Sequence, residues 1–135
     1  MSYRIDEIEG IGPTYAKKLQ AAGIKTTAAL LKVGGTPQGR KSLEATTGLS
    51  GVRILEWCNH ADLMRITGVG KQFAELLEAA GVDTVKELRN RNAVNLAEAM
   101  KATNAKKKLA KTSPSASMVI KWVAQAKTLT PAISY

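Results

Sequence analysis

The chain has 135 residues, enough for one compact unit or two small halves sharing a core, and 44% of them are apolar, so a core can be buried. A single cysteine, Cys58, excludes an intramolecular disulfide, and no apolar run approaches the roughly 20 residues needed to cross a bilayer. With 20 Lys and Arg against 11 Asp and Glu, the net charge is +9. That favours a polyanionic partner, nucleic acid or an anionic membrane surface, without choosing between them.

In chain order, the polar start of the sequence has no signal-peptide apolar run, which suggests a cytoplasmic protein. Residues 3–8 predict a short helix with Ile5 and Ile8 on one face, followed by a turn over residues 9–12. Pro13 sits where a helix takes its first residue, and Tyr15, Ala16, Leu19 and Ala22 make an amphipathic stripe closed by Gly23. Thr26 caps a short helix through Val33, which Gly34 and Gly35 break. Thr36 and Pro37 open another through about Thr46, stopped near Gly48. Ser50 caps the next, which carries Val52, Ile54, Leu55, Trp57 and Cys58 toward Ala61.

From residue 62 the pattern starts again. Residues 62–66 predict a short helix and 71–80 its partner, closed by Gly81. Thr84 caps a short helix to about Asn90, and Asn92 caps another with Leu96, Ala99 and Met100 apolar. Residues 104–112 read as a basic helical turn or loop, and Ser113-Pro114 opens a last helix that buries Met118, Val119, Trp122, Val123 and Ala126. Residues 130–135 read as a flexible tail. No alternating strand pattern occurs, so the fold class is all-α. Charge is uneven: residues 1–67 carry +3 and residues 68–135 carry +6, and no carboxylate side chain follows Glu98.

The phrase Ile66-Thr67-Gly68-Val69-Gly70-Lys71-Gln72-Phe73-Ala74 repeats Ile8-Glu9-Gly10-Ile11-Gly12-Pro13-Thr14-Tyr15-Ala16. The register continues through Leu19 and Leu77, Gly23 and Gly81, Thr26 and Thr84, and Leu30 and Leu88. Trp57 and Trp122 correspond if the second copy has gained residues around its lysine cluster. Each phrase resembles the helix-hairpin-helix motif. Its glycines allow φ > 0 and close backbone approach, and the apolar residue between them plugs the turn into the core. The resemblance implies that amides opening the second helix of a hairpin grip a DNA phosphate at the positive end of the helix dipole. The expected organisation is two tandem repeats, residues 1–61 and 62–129, each a bundle of about five short helices, packed as one compact unit.

The longer run of features, Gly39-Arg40-Lys41, Thr47-Gly48-Leu49-Ser50, Ala61-Asp62-Leu63-Met64-Arg65-Ile66, Asp83-Thr84-Val85-Lys86-Glu87-Leu88, Arg91-Asn92 and Asn95-Leu96, is similar to a bacterial family of small tandem helix-hairpin-helix proteins. That family is catalogued as a domain of unknown function, so the resemblance implies a fold and no activity. Paired hairpins that straddle a duplex lie closer in sequence than these two, which questions whether both reach one duplex.

Of the two turns, the second suits a phosphate better. Gly70, Lys71 and Gln72 keep their amides, Thr67 offers a hydroxyl and Lys71 a charge, so Thr67, Gly68, Val69, Gly70, Lys71 and Gln72 form the expected site. Gly10, Ile11, Gly12 and Thr14 form a weaker counterpart, because Pro13 deletes an amide and Glu9 adds a carboxylate. A basic patch of Lys106, Lys107, Lys108 and Lys111, with Arg89 and Arg91, would add backbone contacts. The competing readings are turns that only connect packed helices and lysines that only solvate a loop. Trp57 and Trp122 read as core. Cys58 and His60 are too few for a metal site or a nucleophile triad. Among relatives of the motif, lyase-active DNA glycosylases carry a lysine where Thr14 and Gln72 stand here, and Glu75, Glu78 and Asp83 are misplaced for their aspartate. A cysteine-ligated iron–sulfur loop is impossible with Cys58 alone. The expectation is a non-enzymatic protein without cofactor or metal that binds the backbone of duplex DNA with little sequence preference. The alternative is a protein-interaction or assembly module, and RNA or ribosome association is a third reading that charge alone permits.

Overall fold

The computed structural model describes residues 2–135, and their regular structure is all helical. A single 3₁₀ turn, Ile5–Glu7, precedes α1 (Pro13–Ala21), α2 (Thr27–Gly34), α3 (Pro37–Thr47), α4 (Gly51–Leu63), α5 (Lys71–Ala79), α6 (Val85–Leu88), α7 (Ala93–Lys107) and α8 (Ala116–Ala126). Among the described residues the one β feature is an isolated bridge between Arg4 and Thr26.

Six helices begin in the same way. Thr26, Thr36, Ser50, Thr84, Asn92 and Ser115 are extended N-caps whose side chains accept from the amides of Ala29, Gly39, Arg53, Glu87, Asn95 and Met118. Each such cap is worth about 1 kcal/mol. The helices α1 and α5 differ: their caps are Gly12 and Gly70, which have no side chain to offer.

α4 packs on α2, α3 and α5, while α7 packs on α5 and α8 and α6 leans on α8. The buried apolar residues, from Ile5 to Ala126, make one continuous cluster. α4 runs unbroken across positions 61 and 62, where the two halves were expected to divide.

Several local expectations are corrected. Residues 3–8 hold only the 3₁₀ turn, because the chain beside it is extended and tied down by Ile5 N–H to Lys25 O at 2.9 Å and Thr27 N–H to Tyr3 O at 2.9 Å. Residues 62–66 are no separate helix, since Asp62 and Leu63 complete α4 and a turn follows. α8 starts at Ala116 behind the Ser115 cap, not at Ser113, with Pro114 buried ahead of it, while the basic stretch is helical through Lys107 and a loop beyond. Val52 and Met118 face solvent instead of the core, at 73% and 37% exposure, each sitting in the first turn of its helix. The final residues are hydrogen-bonded across the molecule: Ser134 N–H donates to Gly35 O at 2.7 Å, and Arg40 Nη2 donates to Ser134 O at 2.8 Å.

Candidate functional site

The two Gly-x-Gly turns adopt the same backbone. Gly10 and Gly68 lie at φ 90° and 94°. Ile11 and Val69 are buried, and their amides donate back to Ile8 O at 3.1 Å and Ile66 O at 3.0 Å. Gly12 and Gly70 are extended caps whose carbonyls accept the first helical bonds, from Ala16 and Ala74, both at 2.9 Å. An indole lies beneath each turn. A Cβ on Gly10 would meet Trp57 Nε1 at 3.7 Å, and one on Gly68 would meet Trp122 Nε1 at 3.2 Å. Each indole stacks obliquely on the next aromatic residue, Tyr15 on Trp57 and Phe73 on Trp122, both with centroids 5.3 Å apart. The tryptophans are core residues that support the turns.

At the second turn the amides of Lys71, Gln72 and Phe73 open α5 without a side-chain acceptor at the cap. Thr67 N–H is already used, donating to Gln125 Oε1 at 2.8 Å, and Val69 is a buried plug. The amides from Lys71 onward lie at the positive end of α5. At the first turn Pro13 removes the corresponding first amide, leaving Thr14 exposed beyond it.

Lys71 is not free. Its Nζ lies 3.5 Å from Glu9 Oε2 of the first turn, so the two turns sit side by side. The seam continues along α5 through Glu75 and Glu78. Burial, with the charges of Glu9 and Glu78 nearby, pushes the Glu75 carboxyl above its ordinary range. His60, buried on α4, meets Glu78 through Nε2 at 2.5 Å, while its Nδ1 is buried without a hydrogen-bond partner. Lys71 and Glu9 are far apart in the chain, and no helical or strand period could have paired them.

The basic segment is ordered and lies against the second turn. Lys111 N–H donates to Gln72 Oε1 at 3.3 Å. A groove of about 470 Å³ runs beside it, lined by Gln72, Asn104, Ala105, Lys108, Leu109, Ala110 and Lys111. The buried Asn104 side chain builds this loop. It accepts from Ala110 N–H at 2.9 Å and donates to Ala110 O at 3.1 Å and Ser113 Oγ at 3.2 Å. Lys108 turns the chain out of α7 with φ 53°. The structure thus joins Lys108 and Lys111 to the second turn, and leaves Lys106 and Lys107 on the exposed last turn of α7. Sequence reasoning missed Asn104, whose only signal was a polar residue inside a lysine run.

Arg91 belongs elsewhere, and Arg89 is the C-cap of α6. Arg91 Nη1 reaches Gly81 O at 3.4 Å and Glu87 Oε1 at 3.6 Å, just past the far end of α5. Nine residues of helix span about 13 Å, so this arginine does not adjoin the amides of Lys71 and Gln72. Cys58 is buried against Gly34 O, and burial pushes its thiol up to about 12, which suits packing and not nucleophilic chemistry. Asp62, also buried, accepts from Arg65 Nη1 at 2.7 Å and from Val85 N–H at 2.8 Å, fixing the start of α6. Among the described residues no group of three or more His, Cys, Asp or Glu could hold a metal ion. No helix there is long and apolar enough to cross a membrane.

The chain belongs to the family described as a domain of unknown function, DUF4332, whose model matches residues 9–129. No curated protein and no solved structure matches it.

Proposed function

We propose that this is a non-enzymatic cytoplasmic protein of two tandem helix-hairpin-helix repeats, of bacterial type, that binds the phosphate backbone of duplex DNA with little sequence preference. One observation carries the reading: the uncapped start of α5 and the lysine loop are hydrogen-bonded into one surface through Gln72 and Lys111. In this mechanism one phosphate sits on the amides of Lys71 and Gln72, as anions do at helix N-termini. Lys108 and Lys111 then neutralise neighbouring phosphates of the same strand. Contacts of this kind position a protein on DNA and carry no base information.

The test is fluorescence anisotropy with a labelled duplex, for wild type, Lys71→Glu, and the pair Lys108→Gln with Lys111→Gln. Both variants are expected to lose most of the binding while keeping the helical circular dichroism of wild type. Three neutralised phosphates would give a log–log salt slope of about −3. Failure of wild type to bind at near-physiological salt overturns the reading. It would then favour a protein-interaction module, for which exposed Val94 and a groove of about 420 Å³ lined by Val94, Ala97, Lys101 and Pro114 offer an apolar surface.

A further inference from the structure

Pro13 deprives the first turn of an amide, and the carboxylate of Glu9 is the one acidic side chain in the paired turns. It projects from the first turn, in the position where the second turn has Thr67, and reaches across to Lys71 Nζ at 3.5 Å. Both groups are accessible, with side-chain exposures of 43% and 49%, so the pair is open to exchange with an incoming ion. Glu9 has company along this flank: Glu75 and Glu78 follow Lys71 on α5, and His60 on α4 is the other basic group there, held by Glu78. Three carboxylates against Lys71 and His60 make this side of α5 anionic, while Gln72, about 100° further round the helix, has Lys108 and Lys111 beside it.

We propose that Glu9 is a built-in competitor for the phosphate site: it holds Lys71 in an internal ion pair that a DNA phosphate must displace, and it keeps the duplex off the first turn. This rests on the DNA-binding reading above and deepens it. The two consequences share one cause. A phosphate on the α5 amides draws Lys71 toward itself, which strips Glu9 of its counter-ion and leaves a carboxylate facing the backbone. The duplex therefore lies over the Lys108 and Lys111 side only, and the first turn contributes no second grip. That accounts for two turns of the same backbone with opposite electrostatics.

The experiment compares duplex binding by wild type, Glu9→Gln and Glu98→Gln at low and at high salt. Glu98 lines the separate groove beside Pro114, so its variant raises the net charge by the same unit away from the turns. Loss of one unit charge at close range in an exposed setting alters binding roughly three-fold. Glu9→Gln is expected to bind about three times more tightly than wild type at low salt, with the gain shrinking as salt rises, and Glu98→Gln to stay close to wild type. Equal or weaker binding by Glu9→Gln overturns the proposal and leaves the DNA reading standing, as does an equal gain in Glu98→Gln, which would mean diffuse charge. Absence of binding in all three proteins removes both readings together.

Discussion

Glu75 follows Lys71 by one turn on α5, half-buried, with Glu9 and Glu78 as acidic neighbours. Burial first, then the Glu9 charge, raises its carboxyl above the ordinary 4.5. A carboxyl whose folded value exceeds its unfolded one binds its proton more tightly when folded, so its contribution is fully present below the unfolded value and is lost as pH rises through the folded one. At neutral pH the ionised Glu75 therefore weakens the fold. Glu75→Gln is expected to shift the urea midpoint upward at neutral pH, and the advantage to vanish below the carboxylate range. A variant no more stable than wild type at neutral pH would refute this account of the seam. At this scale the glycines were legible and the charges were not. Gly10, Gly23, Gly68 and Gly81 all take positive φ where the turn pattern asked for it, because glycine alone adopts that backbone without cost. The pairing of Glu9 with Lys71 and of His60 with Glu78 depends on how distant segments pack, which no local pattern encodes.

At the level of elements, polar caps announced five helices, since Ser, Thr and Asn offer the acceptor that a helix start needs, while the cap of α8 is Ser115 and not the expected Ser113. The basic segment, expected as a helical turn or loop, is divided between the two, because α7 continues to Lys107 and a loop follows. Lysines in a last turn complement the helix dipole and so extend a helix that charge counting alone would stop. What orders the loop after it is Asn104, with both polar atoms of its side chain engaged. Replacing it by alanine strands the N–H and C=O of Ala110, itself 9% exposed. Asn104→Ala is expected to cost about 1–3 kcal/mol in urea unfolding, and to weaken DNA binding because Lys108 and Lys111 lose their placement. Asn104→Asp keeps the acceptor for Ala110 N–H and should fall between the two. An alanine variant as stable as wild type would mean that the loop is held by its apolar contacts alone.

Across the whole molecule the two halves share more than the repeated phrase suggested. The core is continuous, α4 spans the expected boundary, and the last six residues return from α8 to the first half. Those residues looked like a flexible tail because they are short, mixed and without helical period. Their role depends on Arg40, 9% exposed in the first turn of α3. Its guanidinium donates to Gly34 O at 3.0 Å and to Ser134 O at 2.8 Å, and the Tyr135 ring lies 5.8 Å from it. Arg65 holds the start of the same segment through Thr130 O at 2.9 Å. Removing Ser134 and Tyr135 takes away one acceptor of a buried cation and uncovers Gly35 O, which Ser134 N–H otherwise satisfies. A hydrogen bond to a charged group is worth about 1.5–3 kcal/mol, so the shortened chain is expected to lose about that much. Because the core is one cluster, unfolding should remain a single transition in both proteins, followed by circular dichroism and by tryptophan fluorescence. Trp57 and Trp122 report the two halves separately, so single-tryptophan variants sharpen the comparison. Coincident midpoints that fall together on truncation support a strap binding both halves, whereas an unchanged midpoint would make the segment the loose tail that its sequence suggests.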